Sequence, residues 1–88
     1  DGMLFYLAVY KEDVQDYWAE VPALEGCYSV GNSVSETLNN SRALIKIHVD
    51  DLRADCPHYT VVQKSLSALK ALPQYKGAAW HAVKVDVS

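Results

Sequence analysis

Ser33 and Glu36 stand three residues apart at the head of a long apolar period, and this pairing constrains the fold more than any other feature. A serine followed at that spacing by a glutamate is the signature of a capping box, in which each side chain satisfies an orphan N–H at a helix start. At about 100° per residue, Val34, Leu38, Ser41, Ile45, Val49 and Leu52 fall within one narrow stripe. Pro57 cannot continue a helix, so the predicted element ends near Asp55. A helix with a single apolar stripe must lay it on something. With 88 residues the chain forms one domain with a modest core, burying about 60–65% of its unfolded surface. The partner for the stripe is then a sheet built from the segments on either side.

Those segments read as strands. "MLFYLAVY", Met3 to Tyr10, is a continuous apolar and aromatic run, "KEDVQD" is polar enough for a hairpin loop, and "YWAEVP" follows as a second strand. Pro22 ends that strand's ladder because it donates no N–H. "GCYSVG", bracketed by Gly26 and Gly31, reads as a brief edge strand in which the glycines bend the chain. After the long helix, "TVVQKSLSALKAL" predicts a shorter one broken at Pro73, "QYKGAAW" turns the chain, and "AAWHAVKVDV" is a last strand. The expected fold class is α+β, in the order β-β-β-α-α-β, with a single mainly antiparallel sheet and helices on one face. Residues 3–88 form the domain, and Asp1-Gly2 before Met3 reads as a remnant of expression.

Strand parity sorts the side chains. His81, Val83, Val85 and Val87 share a face with Phe5, Leu7 and Val9 and belong beneath the helices. Tyr6, Tyr10, Trp18, Glu20, Trp80 and Lys84 then lie on the opposite face, without cover from this chain. Such a face is either a surface for a partner or self-copy, or one whose rings are covered by hairpin twist and loops.

Catalytic readings fare poorly. His48, Cys56 and His58 match no standard zinc spacing, and no CxxC occurs. Cys27 has no Lys or Arg nearby in sequence to lower its pKa and reads as a small buried hydrophobe. Cys27 and Cys56 are expected as reduced thiols in a cytoplasm. The strand order resembles ribonuclease H, whose two-metal chemistry needs acids converging from the first strand, the helix and the last strand. The first strand, read as Leu4 to Tyr10, carries none, so Asp86 with Asp50 or Asp51 does not complete the set. A net charge of −3 argues against a general phosphate-binding surface. Base stacking on the aromatic face would want a basic rim, whereas that face offers Lys84 against Glu20 and Asp86. Half of the residues are hydrophobic and 22% charged, which is globular composition, and no apolar run has membrane-spanning length.

Two separated segments, "VPALEGCYSVGNSVSETL" and "QYKGAAWHAVKVDVS", resemble the HicB-type antitoxin family in register. Pro22, Leu24, Gly26, Cys27, Ser29, Gly31, Trp80, Val83 and Asp86 match its pattern. Ala23 and Glu25 replace its usual Asp and Pro, Trp18 stands where a glycine is common, and Cys56 stands where the helix usually ends in Gly. The resemblance implies a partial ribonuclease-H-like fold without the nuclease acids, the last strand beside the first, and neither enzymatic activity nor a cofactor or metal. It implies a cytoplasmic bacterial protein that neutralises a small basic RNA-cleaving toxin, HicA, and self-associates as a dimer or higher oligomer. In this reading Pro22, Gly26, Cys27, Gly31, Ser33 and Glu36 are structural. DNA contact is expected only through a C-terminal domain that this chain does not include. The alternative is a stand-alone relative binding RNA or a small ligand on the aromatic face.

Overall fold

The computed structural model describes residues 2–87; Asp1 of the expected remnant and Ser88 at the expected domain end lie outside the described residues. Strands β1 (Met3–Asp13), β2 (Asp16–Glu20) and β3 (Tyr28–Gly31) precede helix α1 (Val34–Asp55). Helix α2 (Leu66–Lys70), a 3-10 turn (Pro73–Tyr75) and strand β4 (Ala79–Val85) follow. The strands form one antiparallel sheet in the order β3-β2-β1-β4, so the last strand lies beside the first. The α+β class and element order are those expected.

Helix α1 starts as its capping residues require. Ser33 Oγ accepts from the Glu36 N–H at 3.0 Å. The reciprocal arm closes one residue further out than a standard box, since Glu36 Oε1 accepts from the Asn32 N–H at 2.8 Å. Thr37, Ser41, Ile45 and Val49 are buried along the helix, with Val34, Leu38 and Leu52 packed at the margin. This stripe covers Phe5, Leu7, Val9, Val83 and Val85 on the sheet. Each large aliphatic buried there contributes about 1.5–3 kcal/mol. The three buried hydroxyls are satisfied locally: Ser29 donates to Thr37 O, Thr37 to Ser33 O and Ser41 to Leu38 O.

Three features depart from the sequence reading. First, β1 continues to Asp13, so most of "KEDVQD" is ladder rather than loop, with a register irregularity between Lys11 and Asp13. A hairpin arm projecting beyond the core needs backbone pairing, not apolar side chains. Second, only Leu66–Lys70 is helical in the segment from Thr60 to Leu72 expected to form the second, shorter helix. The preceding Gln63 is committed elsewhere: its Oε1 accepts from the Tyr6 N–H at 3.0 Å and its Nε2 donates to Leu4 O at 2.9 Å. There β1 has run past the end of β2, and the carboxamide pairs with it as a peptide group of a neighbouring strand would. Third, the helices do not share a face. Leu69 of α2 and Tyr75 of the 3-10 turn pack on Ala8, opposite α1, and so form a second small core.

The glycines that bracket β3 also differ from one another. Gly26 has φ +80° and bends the chain as expected. Gly31 has no positive φ; its role is space, because a Cβ there would lie 2.6 Å from the Thr37 backbone nitrogen.

Candidate functional site

Register places all six expected surface residues on one side of the sheet. Tyr10 pairs with Trp18, Ala8 lies between Glu20 and Trp80, Tyr6 faces Ala82, and Leu4 faces Lys84. The expectation that this face is uncovered holds only in part. Tyr6, Tyr10 and Trp80 are half-buried against the second core, and Tyr75 meets the Trp80 ring edge-on at 5.4 Å. The Tyr75 hydroxyl donates to Glu20 Oε2 at 3.0 Å, which fastens the 3-10 turn to β2. Lys84 remains exposed at the margin.

The wing toward β3 is the more open part: Tyr28 and Val30 are exposed there, beside half-buried Trp18 and Tyr10. Tyr10 and Trp18 stack at 4.5 Å with 22° between planes, and Tyr28 continues the row at 6.2 Å from Trp18. Val30 lies opposite Trp18 and Tyr28 opposite Glu20, and they are 66% and 54% exposed. Trp18 Nε1 donates to Glu12 Oε1 at 2.6 Å, so a carboxylate from the irregular end of β1 orients the indole. The wing is therefore an aromatic ladder with an aliphatic flank and two acidic residues, Glu12 and Glu20. Tyr28 and Val30 were not among the expected surface residues. Their alternation in "YSVG" was a legible signal, since a strand beside β2 in register brings every second residue to the Trp18 face.

Among the described residues, no three His, Cys, Asp or Glu side chains gather as a metal site. Burial raises the Cys27 thiol above its ordinary pKa, the wrong direction for a nucleophile. Pro22 lies in a loop closed by Val21 N–H to Cys27 O, and Cys27 is buried.

The Tyr75 phenol is pushed above its ordinary pKa by burial and then by its bond to Glu20. Tyr10 shifts the same way through burial and the Glu20 charge. A raised pKa means that the folded state holds the proton more tightly. The associated stability is complete below the ordinary value of 10.0 and is lost as pH rises through the raised one. Denaturant midpoints are thus expected to fall above about pH 10. Tyr75→Phe should flatten that alkaline fall while costing about 1–2 kcal/mol at neutral pH through the lost hydrogen bond. An unchanged alkaline profile would remove Tyr75 as its source.

Comparison with known proteins bears on this architecture. Residues 5–88 match the family model described as HicB-like antitoxin of bacterial toxin-antitoxin system. The N-terminal domain of the Burkholderia pseudomallei antitoxin HicB superposes with TM-score 0.81 at 32% identity, covering 96% of this chain and 99% of that one. The structure of that antitoxin itself matches with TM-score 0.85 and 34% identity over 98% of this chain, which spans 65% of the longer protein. A chain from a HicA3 and HicB3 toxin-antitoxin complex shares the fold, with TM-score 0.76 at 19% identity, covering 96% of this chain and 99% of that one. A UPF0150 protein of Helicobacter pylori is 44% identical over 48 residues, 54% of this chain and 67% of the relative.

Proposed function

Since the chain belongs to the HicB-like antitoxin family of bacterial toxin–antitoxin systems, we propose that it is a non-catalytic antitoxin domain that neutralises a small basic RNA-cleaving toxin of the HicA type. The observation that carries this reading is the open wing: Tyr10, Trp18, Tyr28 and Val30 flanked by Glu12 and Glu20. A protein surface that grips RNA is rich in Lys and Arg. An aromatic patch with carboxylates at its margin fits such a surface by apolar burial, cation–π contact and charge complementarity. The same carboxylates repel phosphate, which weighs against RNA itself as the ligand. The net charge of −3 favours encounter with a basic partner. Tyr6, Trp80 and Lys84 lie toward the other side of the face, the first two beneath the second core.

In this reading the domain acts in the cytoplasm and self-associates, and any DNA contact belongs to a further domain of the antitoxin. Among the described residues, no helix is long and apolar enough to cross a membrane. Co-expression with a small basic toxin of the HicA type tests the proposal. A stable complex and restored growth are expected. Continued growth arrest with both proteins present and no complex would overturn it.

A further inference from the structure

Helix α1 turns two arginines, about three turns apart, toward β4, and both bond main-chain carbonyls rather than side chains. Arg42 Nη1 donates to Lys84 O at 2.9 Å, and Arg53 Nη1 donates to Val87 O. These carbonyls flank the place where the sheet gives out. The last ladder pair is Met3 with Val85, and β1 offers no partner beyond it. Val85 and Val87 are nonetheless buried in the main core. A carbonyl at the margin of a core needs a donor, and α1 supplies one at each end of this strap, Lys84 to Val87.

Arg53 also reaches a second segment. Its Nε donates to Tyr59 O at 3.4 Å. Tyr59 stands in the connection from Cys56 to Ser65, which has neither helix nor strand. One end of that connection continues from α1, and the other is tied to β1 by Gln63. Between those ends it is held through the Tyr59 carbonyl and through Val61, which packs on the same main core as Val87. One guanidinium therefore joins the middle of the connection to the end of the strap.

We propose that Arg53 makes one clasp of the strap and the connection, so that the two loosen together and ahead of the rest of the domain. Ordering a long arginine side chain costs rotamer freedom, which its two acceptors offset jointly. When one carbonyl withdraws, the guanidinium holds the other less well. The apolar contacts follow the same rule, since Val61 and Val87 reach the core from outside any strand or helix. Phe5, Leu7, Ile45 and Val49 have no such dependence, being seated within β1 and α1. Segments with few regular bonds open at lower cost than core strands and helices. Opening of the clasp thus bares the Val61 and Val87 margin of the core while the sheet stays intact, and a displacement of the chain at Val87 is felt at Tyr59.

Hydrogen exchange of the intact 88-residue chain, followed amide by amide, tests this without any partner. The Val85 N–H, at the last ladder pair, reports the strap, and the Tyr59 N–H, bonded to Cys56 O, reports the connection. Arg42→Ala removes a contact made to the strap alone. It is expected to speed exchange at both amides by a similar factor, about tenfold, with the Leu7 and Ile45 amides unchanged. Combined with Arg53→Ala, the same substitution should speed Val85 alone, because the link to Tyr59 is gone. Three results overturn the proposal: a Tyr59 amide that ignores Arg42→Ala, a Tyr59 response that survives the loss of Arg53, or acceleration of Leu7 and Ile45 together with the other two. The first and third are read on Arg42→Ala alone, a change at an exposed side chain, so they decide the matter even where an Arg53 variant does not fold.

Discussion

Gly31→Ala is expected to destabilise the domain by about 2–3 kcal/mol, a fall of about 10–20 °C in melting temperature for a chain of this size. The reason is distance rather than backbone conformation. A methyl group at Gly31 would lie 2.6 Å from the Thr37 nitrogen, 2.7 Å from its Oγ1 and 3.0 Å from its Cα. The first and last of these are backbone atoms in the first turns of α1, so no side-chain rotation relieves the clash. Relief requires β3 and α1 to separate. Their separation strains the bond from Ser29 Oγ to Thr37 O and loosens Ile45 and Val49 above the sheet. Gly26→Ala is the matched control. Its φ of +80° makes a side chain strained, yet nothing lies within 4 Å of the new Cβ, so about 1–2 kcal/mol is expected. Denaturant melts of both variants decide the matter: equal losses would show that β3 and α1 are less tightly joined than Gly31 implies.

Much of this domain was legible because its strongest local signals agree with its tertiary structure. The Ser33 cap, the stripe from Val34 to Leu52 and the strand alternation ending at Val87 each point to one sheet beneath one helix. Parity was enough to gather Tyr6, Tyr10, Trp18, Glu20, Trp80 and Lys84 on one side. What parity does not carry is cover. Nothing in "SALKALPQY" says which face Leu69 and Tyr75 will choose; that depends on Ala8 leaving room between neighbouring aromatics. Helical propensity across Thr60–Leu72 was overruled in the same way, by Gln63 completing the edge of β1 across 57 residues of chain. Gly31 belongs with these. A glycine before a helix suggests a bend, and only the approach of Thr37 reveals a spatial demand.

Trp18→Ala should weaken capture of the HicA-type toxin by at least about 2 kcal/mol, roughly 30-fold in affinity, with most of the effect in dissociation. Trp18 is the centre of the open wing: it stacks on Tyr10, neighbours Tyr28, faces Val30 and is oriented by Glu12. A large ring held by packing and one hydrogen bond loses little freedom on binding, which is why such residues anchor interfaces. The variant also gives up its stacking with Tyr10, about 0.5–1.5 kcal/mol of stability, so binding must be read well below its unfolding midpoint. Glu12→Gln isolates the charge, keeping an acceptor beside the indole nitrogen while removing a carboxylate from the rim. Its loss should appear in the association rate and shrink as salt rises, since rim charges steer encounter more than they hold the complex. Lys46→Ala, which breaks only the exposed pair with Asp50 on α1, should leave capture unchanged. If instead Trp18→Ala binds as tightly as the parent while Lys46→Ala does not, the toxin docks on α1, and the aromatic wing serves another contact.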